Sequence, residues 1–104
     1  MELIAKIENI GGMTQSQFKD KKTNEIKIFK RIGVTLRCGK DLIYAEAVQE
    51  QAAVLLMDVS VNKTVEAGKS YFVRLAFTQH DYTDQQGNTR YSTDVRLMSW
   101  EPMS

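Results

Sequence analysis

One cysteine, one proline, one histidine and one tryptophan occur in the 104 residues of this chain. Cys38 alone cannot form an internal disulfide, and it is too few for a cysteine-based metal cluster. That scarcity argues for a reducing, cytoplasmic compartment. With His80 as the only histidine, neither a His-based metal site nor a two-histidine acid/base pair can be built within one chain. No apolar run approaches the ~20 residues of a membrane span, so no membrane partner is expected. Met1-Glu2-Leu3-Ile4 carries no basic region ahead of an apolar stretch, so no secretory signal is expected either.

Catalytic constellations are also missing. His80 adjoins Asp81, but neighbours on a strand point to opposite faces. His80 therefore reads as a surface histidine near a hairpin. Cys38 beside Gly39 reads as an incidental thiol in a turn, with only Arg37 nearby to lower its pKa slightly. Gly11-Gly12 stands alone, with no glycine-rich phosphate loop opening a helix. Glu46 and Glu50 show no partner signal. The expectation is a protein that is not an enzyme and that needs no metal and no cofactor.

What is present is an ordinary folding composition. The apolar share is 42% and the charged share 26%, which fits a globule and not a disordered chain. The length suits one small domain over residues 1–104, with a modest core. Net charge is only +1, but it is unevenly spread. Residues 1–40 hold nine Lys/Arg against four Asp/Glu, and residues 41–104 hold five against nine. The first part is therefore +5 and the second −4, which suggests a basic surface for an anionic partner. The plain alternative is that the imbalance only reflects the Lys19–Lys22 segment.

Strand signals dominate. From Glu2 to Ile10, Leu3, Ala5 and Ile7 alternate with charged residues, and the strand is expected to stop at Gly11-Gly12. Residues Met13 to Asn24 are polar and lysine-rich and read as a mobile loop. From Glu25 to Arg37 the alternation is clearest. Ile26, Ile28, Ile32, Val34 and Leu36 share one face, which reads as the core face, with Lys30 the exception. Lys27, Phe29, Arg31, Gly33, Thr35 and Arg37 share the other. Gly39 marks a tight hairpin turn, and Leu42 to Val48 returns as a strand. Good helix formers from Gln49 to Met57 indicate a short helix. A turn at Gly68-Lys69 follows. In the strand from Ser70 to Tyr82, Tyr71, Val73, Leu75 and Phe77 read as the core face, with Arg74 on the other. The Gln85–Asn88 turn leads into a last strand from Thr89 to Trp100, where Trp100 reads as core or as an oligomer contact. The result is all-β: five strands with one short helix between the third and fourth. That is the order of an OB-fold barrel, whose sheet face and loops bind oligonucleotides. Other five-stranded barrels share part of this order.

Two patches carry candidate chemistry. The second strand interleaves Lys27, Arg31 and Arg37 with Phe29, and Tyr44 follows on the third. Cations neutralise phosphates and release counterions. A flat aromatic stacks a base at ~1–3 kcal/mol and tolerates many sequences. The alternative is a solvated face with Phe29 covered by residues 13–24. The second patch is Tyr82 with the Arg90-Tyr91 pair across the last hairpin, whose plain reading is a cross-strand aromatic contact. Arg74 adds a further candidate cation.

The stretch Gly68-Lys69-Ser70-Tyr71-Phe72-Val73, followed by Tyr82-Thr83-Asp84 through Gly87 to Arg90-Tyr91-Ser92-Thr93-Asp94-Val95, resembles the fourth strand, hairpin and fifth strand of bacterial and phage single-stranded DNA-binding proteins. Ala45 to Leu55 resembles that family's third strand entering its helix, with Gln51-Ala52 at the helix start. The similarity covers about a third of the chain clearly and about half in all. It implies an OB-fold, sequence-tolerant binding of single-stranded DNA, homo-oligomers (dimers or tetramers), and a base-stacking role for Tyr82. It also implies contacts with other replication proteins. There are departures. The second hairpin shrinks to Cys38-Gly39-Lys40-Asp41, and Leu42 and Val48 stand where two family aromatics would be. The end at Glu101-Pro102-Met103-Ser104 lacks the family's acidic-tipped tail, which recruits those replication proteins, so that recruitment is not expected here, as in a phage, plasmid or accessory form. Two other readings remain open on the residues: a protein-interaction OB module of the replication-restart type, and single-stranded RNA binding.

Overall fold

A computed structural model describes residues 1–103. Five strands form a closed barrel: β1 (Glu2–Lys19), β2 (Ile26–Cys38), β3 (Asp41–Val48), β4 (Ser70–Thr83) and β5 (Thr89–Pro102), with helix α1 (Glu50–Ser60) between β3 and β4. Strand order around the barrel is β1-β2-β3-β5-β4, closing on β1. All pairings are antiparallel except β3 with β5, which meet in parallel at Glu46 and Arg96. This is the five-stranded, one-helix all-β architecture that the pattern pointed to. No helix among the described residues is long and apolar enough to cross a membrane.

The core follows strand alternation. Ala5 and Ile7 of β1, Ile32, Val34 and Leu36 of β2, and Ala45 and Ala47 of β3 are fully buried. So are Tyr71, Val73 and Leu75 of β4 and Leu97 of β5. Among the described residues, no charged or polar residue type joins them. Helix α1 buries Ala52 and Leu55 and half-buries Val59. That spacing of three and four places one apolar stripe against the barrel. Trp100 is half-buried against the core and donates its indole N–H to Asp58 Oδ2 at 2.8 Å. Gln49 forms the corner between β3 and α1. Its N–H donates to the Lys30 carbonyl and its side-chain oxygen accepts the Lys30 N–H, which holds the end of β3 on β2.

Three sequence expectations require correction. First, β1 does not end at Gly11-Gly12, and residues 13–19 are strand, not loop. The register of β1 against β2 slips between Ile7 and Asn9 and again between Ile10 and Met13. These are bulges, in which extra residues of β1 face fewer of β2 and the strand bends. Inward positions therefore run Ile7, Ile10, Met13, a spacing of three that hides the strand from a period-two reading. Second, Ile26 and Ile28 are not core; they are 71% and 47% exposed. Third, Phe77 is not core and is half exposed. The second and third corrections have one cause. The β1–β2 and β4–β5 ladders run past the end of the barrel as two-stranded arms, so their inward faces have nothing to cover them. The radius of gyration of 15.8 Å reflects these arms, against about 13 Å for a compact chain of this length.

The turns conform to their residues. Gly39 opens a two-residue loop with φ of 62°, and Gly87 has φ of 82° at the tip of the β4–β5 arm. Both positions suit a residue without a β-carbon.

Candidate nucleic-acid interface

Strand register determines which outward side chains share a face. On β2 the outward set is Lys27, Phe29, Arg31, Gly33, Thr35 and Arg37. Thr35 pairs with Tyr44 and Gly33 with Glu46 on β3. Glu46 pairs with Arg96 on β5. From Arg96, alternation along β5 gives Asp94, Ser92 and Arg90, which oppose Thr78, His80 and Tyr82 on β4. Phe29, Arg31, Tyr44, Tyr82 and Arg90 therefore lie on one continuous outer face that crosses β2, β3, β5 and β4. Phe18, half exposed, faces the same way across from Lys27.

A chain of charged contacts runs through the middle of this face. Arg31 Nη1 lies 3.8 Å from Glu46 Oε2, and Arg96 Nη1 lies 3.8 Å from Glu46 Oε1. Arg96 Nη2 continues to Asp94 Oδ2 at 3.7 Å, and Asp94 Oδ2 lies 2.8 Å from His80 Nε2. Arg31 also sits over the Phe29 ring, 5.9 Å from its centroid. Tyr44 is 61% exposed, and its ring reaches from β3 across β2 to lie over Gly33. A β-carbon at residue 33 would collide with the hydroxyl end of that ring, so the glycine is what lets the tyrosine lie across β2. Arg31, Tyr44 and Glu46 with Thr14, Gly11 and Gly12 border a shallow groove of about 420 Å³ on this face. Glycines line part of it, leaving room for a planar group beside Tyr44.

The remaining candidates sit apart or are committed elsewhere. Arg37 lies on the same face of β2 but donates through Nε to Glu8 Oε1 at 2.7 Å. Lys27 is on the β1–β2 arm, 3.0 Å from Asp20 Oδ2. Arg74 is on the other side of the barrel, opposite Glu2 and Ser99 on the β1–β4–β5 seam. The Arg90-Tyr91 pair is split by alternation. Arg90 faces the site opposite Tyr82, and Tyr91 faces away.

Both arm tips are built alike. Asp20 accepts the Lys22 N–H and pairs with Lys27, and Asp84 accepts the N–H groups of Gln86 and Asn88 and pairs with Arg90. The Arg90 hydrogen bond, then the Asn88 N–H, hold the Asp84 carboxyl below the ordinary carboxylate range. A depressed folded pKa contributes stability above the unfolded value, and that contribution is lost as pH falls through the lowered one. Asp84→Asn should therefore loosen the tip at neutral pH and remove its acid sensitivity below about pH 4. Amide exchange at Gln86 and Asn88 measures both effects.

The sequence showed the cations and aromatics but not their partners. Of the eight candidates, Lys27, Arg31, Arg37 and Arg90 each have a carboxylate within 4 Å. Glu46, Arg96, Asp94 and His80 were missed as site residues, because only closure of β3 against β5 brings them together. The one signal was the Ala45-Glu46-Ala47 alternation, which turns Glu46 outward. Neither protein-family models nor curated proteins give a match to this sequence.

The position of Glu46 leads to a counterintuitive expectation. Its carboxylate lies between two arginines in the middle of the face, so any phosphate brought to those arginines would have to compete with it. An exposed pair is worth about 0.2–1 kcal/mol, and Glu46 makes two. If the face binds an oligonucleotide, Glu46→Gln should therefore raise its affinity about two- to thirtyfold at low salt. A drop in affinity by anisotropy titration would instead make Glu46 the residue that positions Arg31 and Arg96.

Proposed function

We infer that this protein binds single-stranded DNA with little sequence preference and without catalysing a reaction, in replication, recombination or repair. The observation that carries this reading is the single open face shared by Phe29, Arg31, Tyr44, Arg96, Tyr82 and Arg90. Tyr44 and Tyr82 stack bases, with Phe29 as a third aromatic beside Arg31. Arg31, Arg96 and Arg90 meet phosphates between them. Contacts of this kind read no base edges, and their strength falls with salt as counterions are released. A single strand suits the face, because its bases are free to turn onto the rings, whereas duplex bases are stacked on each other.

The test is fluorescence anisotropy of labelled oligo-dT at low and moderate salt, with an oligo-rU and a duplex of equal length beside it. Binding of oligo-dT that weakens as salt rises supports the reading. Tighter binding of oligo-rU reassigns the face to RNA. No binding of any strand at low salt overturns the reading and leaves the protein-interaction module.

A further inference from the structure

Glu46 differs from the other carboxylate at the centre of the face. Asp94 accepts from His80 at 2.8 Å. The Glu46 side chain is only 22% exposed, yet its two oxygens stand 3.8 Å from Arg31 Nη1 and from Arg96 Nη1. Those separations are about 1 Å longer than a charge-assisted hydrogen bond. Neither arginine therefore completes a hydrogen bond to Glu46, and lone pairs on its carboxylate stay open. Gly33, its register partner on β2, brings no side chain, and the Tyr44 ring lies over that glycine. A stacking surface and an open acceptor are therefore neighbours, and both border the 420 Å³ groove. Gly11 and Gly12 border it too, at the β1 bulge, where neither has a register partner on β2. No side chain rises from that border, and a groove of this volume is of the size that holds a small planar ligand.

We propose that this groove takes one nucleobase of the bound strand, and that Glu46 selects a base with an amino group, guanine first, over thymine. The inference rests on the proposed function and adds to it a preference at one position. Stacking and phosphate contacts read no base edge, but a carboxylate does, because in its ionised form it only accepts. Guanine presents N1–H and its N2 amino group side by side, matching the two carboxylate oxygens. Its O6, next to them, accepts from Arg31, which borders the same groove. Cytosine and adenine each offer one amino group. Thymine offers only N3–H, set between two carbonyl oxygens that a carboxylate repels. Every other base of the strand is held by its ring and phosphate alone, so binding stays tolerant of sequence overall. The low end of a bidentate base contact sets the preference for guanine over thymine at about fivefold.

The test is anisotropy titration of a short oligo-dT and of two versions with one central thymidine replaced, by dG or by deoxyinosine. Deoxyinosine keeps the fused ring, N1–H and O6 of guanine and lacks the amino group, so stacking is matched. The wild type should bind the dG strand about fivefold more tightly than oligo-dT. Loss of one hydrogen bond should leave the inosine strand about twofold or more weaker than the dG strand. Glu46→Gln should bind the dG and inosine strands alike, and oligo-dT at least as tightly as the wild type does. A wild type that binds the dG and inosine strands equally overturns the proposal. So does a difference between them that survives Glu46→Gln. In both cases salt-sensitive binding of all three strands leaves the proposed function standing, whereas no binding of any strand overturns both.

Discussion

Replacing both Tyr44 and Tyr82 with alanine should cost this protein nearly all of its useful affinity for single-stranded DNA. Under the proposed function each ring stacks one base, at ~1–3 kcal/mol or roughly 5- to 150-fold. The two residues sit on different hairpins and share no partner, so their losses add. The double variant should bind about 30-fold more weakly or worse, and each single variant should fall between it and the wild type. Folding should be intact, because both side chains are more than half exposed and outside the core. Phenylalanine at the same positions keeps the ring and should keep most of the affinity. That distinguishes stacking from a role for the hydroxyl. Anisotropy titration at one fixed salt concentration, with a circular dichroism spectrum of each variant, measures both points. An unchanged affinity in the double variant would mean that the strand lies elsewhere.

The largest loss of stability is expected at Leu55. This side chain of α1 is fully buried against the barrel, while Leu56 beside it is 42% exposed. Truncating a buried leucine to alanine removes its transfer energy and leaves a cavity, at about 2–5 kcal/mol. A small domain has on the order of 5–15 kcal/mol in total. Leu55→Ala should therefore lower the Tm by on the order of 10 °C or more, and Leu56→Ala should change it little. If the two variants melt alike, α1 does not cap the barrel in the way described.

Legibility in the sequence was uneven for physical reasons. The β2 strand, the Gly39 turn, the helix and the β4–β5 hairpin were readable, because each rests on local periodicity or on a turn residue. The β1 strand was cut short at Gly11-Gly12, because two bulges change its inward spacing from two to three. Ile26, Ile28 and Phe77 kept the right alternation but were assigned to the core. Alternation says which face a residue occupies, not whether anything covers it. At the site, Phe29, Arg31, Tyr44, Tyr82 and Arg90 were named from residue type, and the register places them together. Arg74 has the same residue type but lies on the far seam, which only the order of strands around the barrel reveals. The Arg31–Glu46–Arg96–Asp94–His80 chain was invisible, since its members come from four strands that closure brings side by side.

The most direct test of the binding face is a backbone amide chemical-shift titration of the isotope-labelled protein with oligo-dT at low salt. The account predicts that the largest changes cluster at Phe29, Arg31, Tyr44, Glu46, Arg96 and Tyr82, with α1 and Arg74 little affected. Changes centred on Arg74 and Phe72, or on the helix, would contradict it.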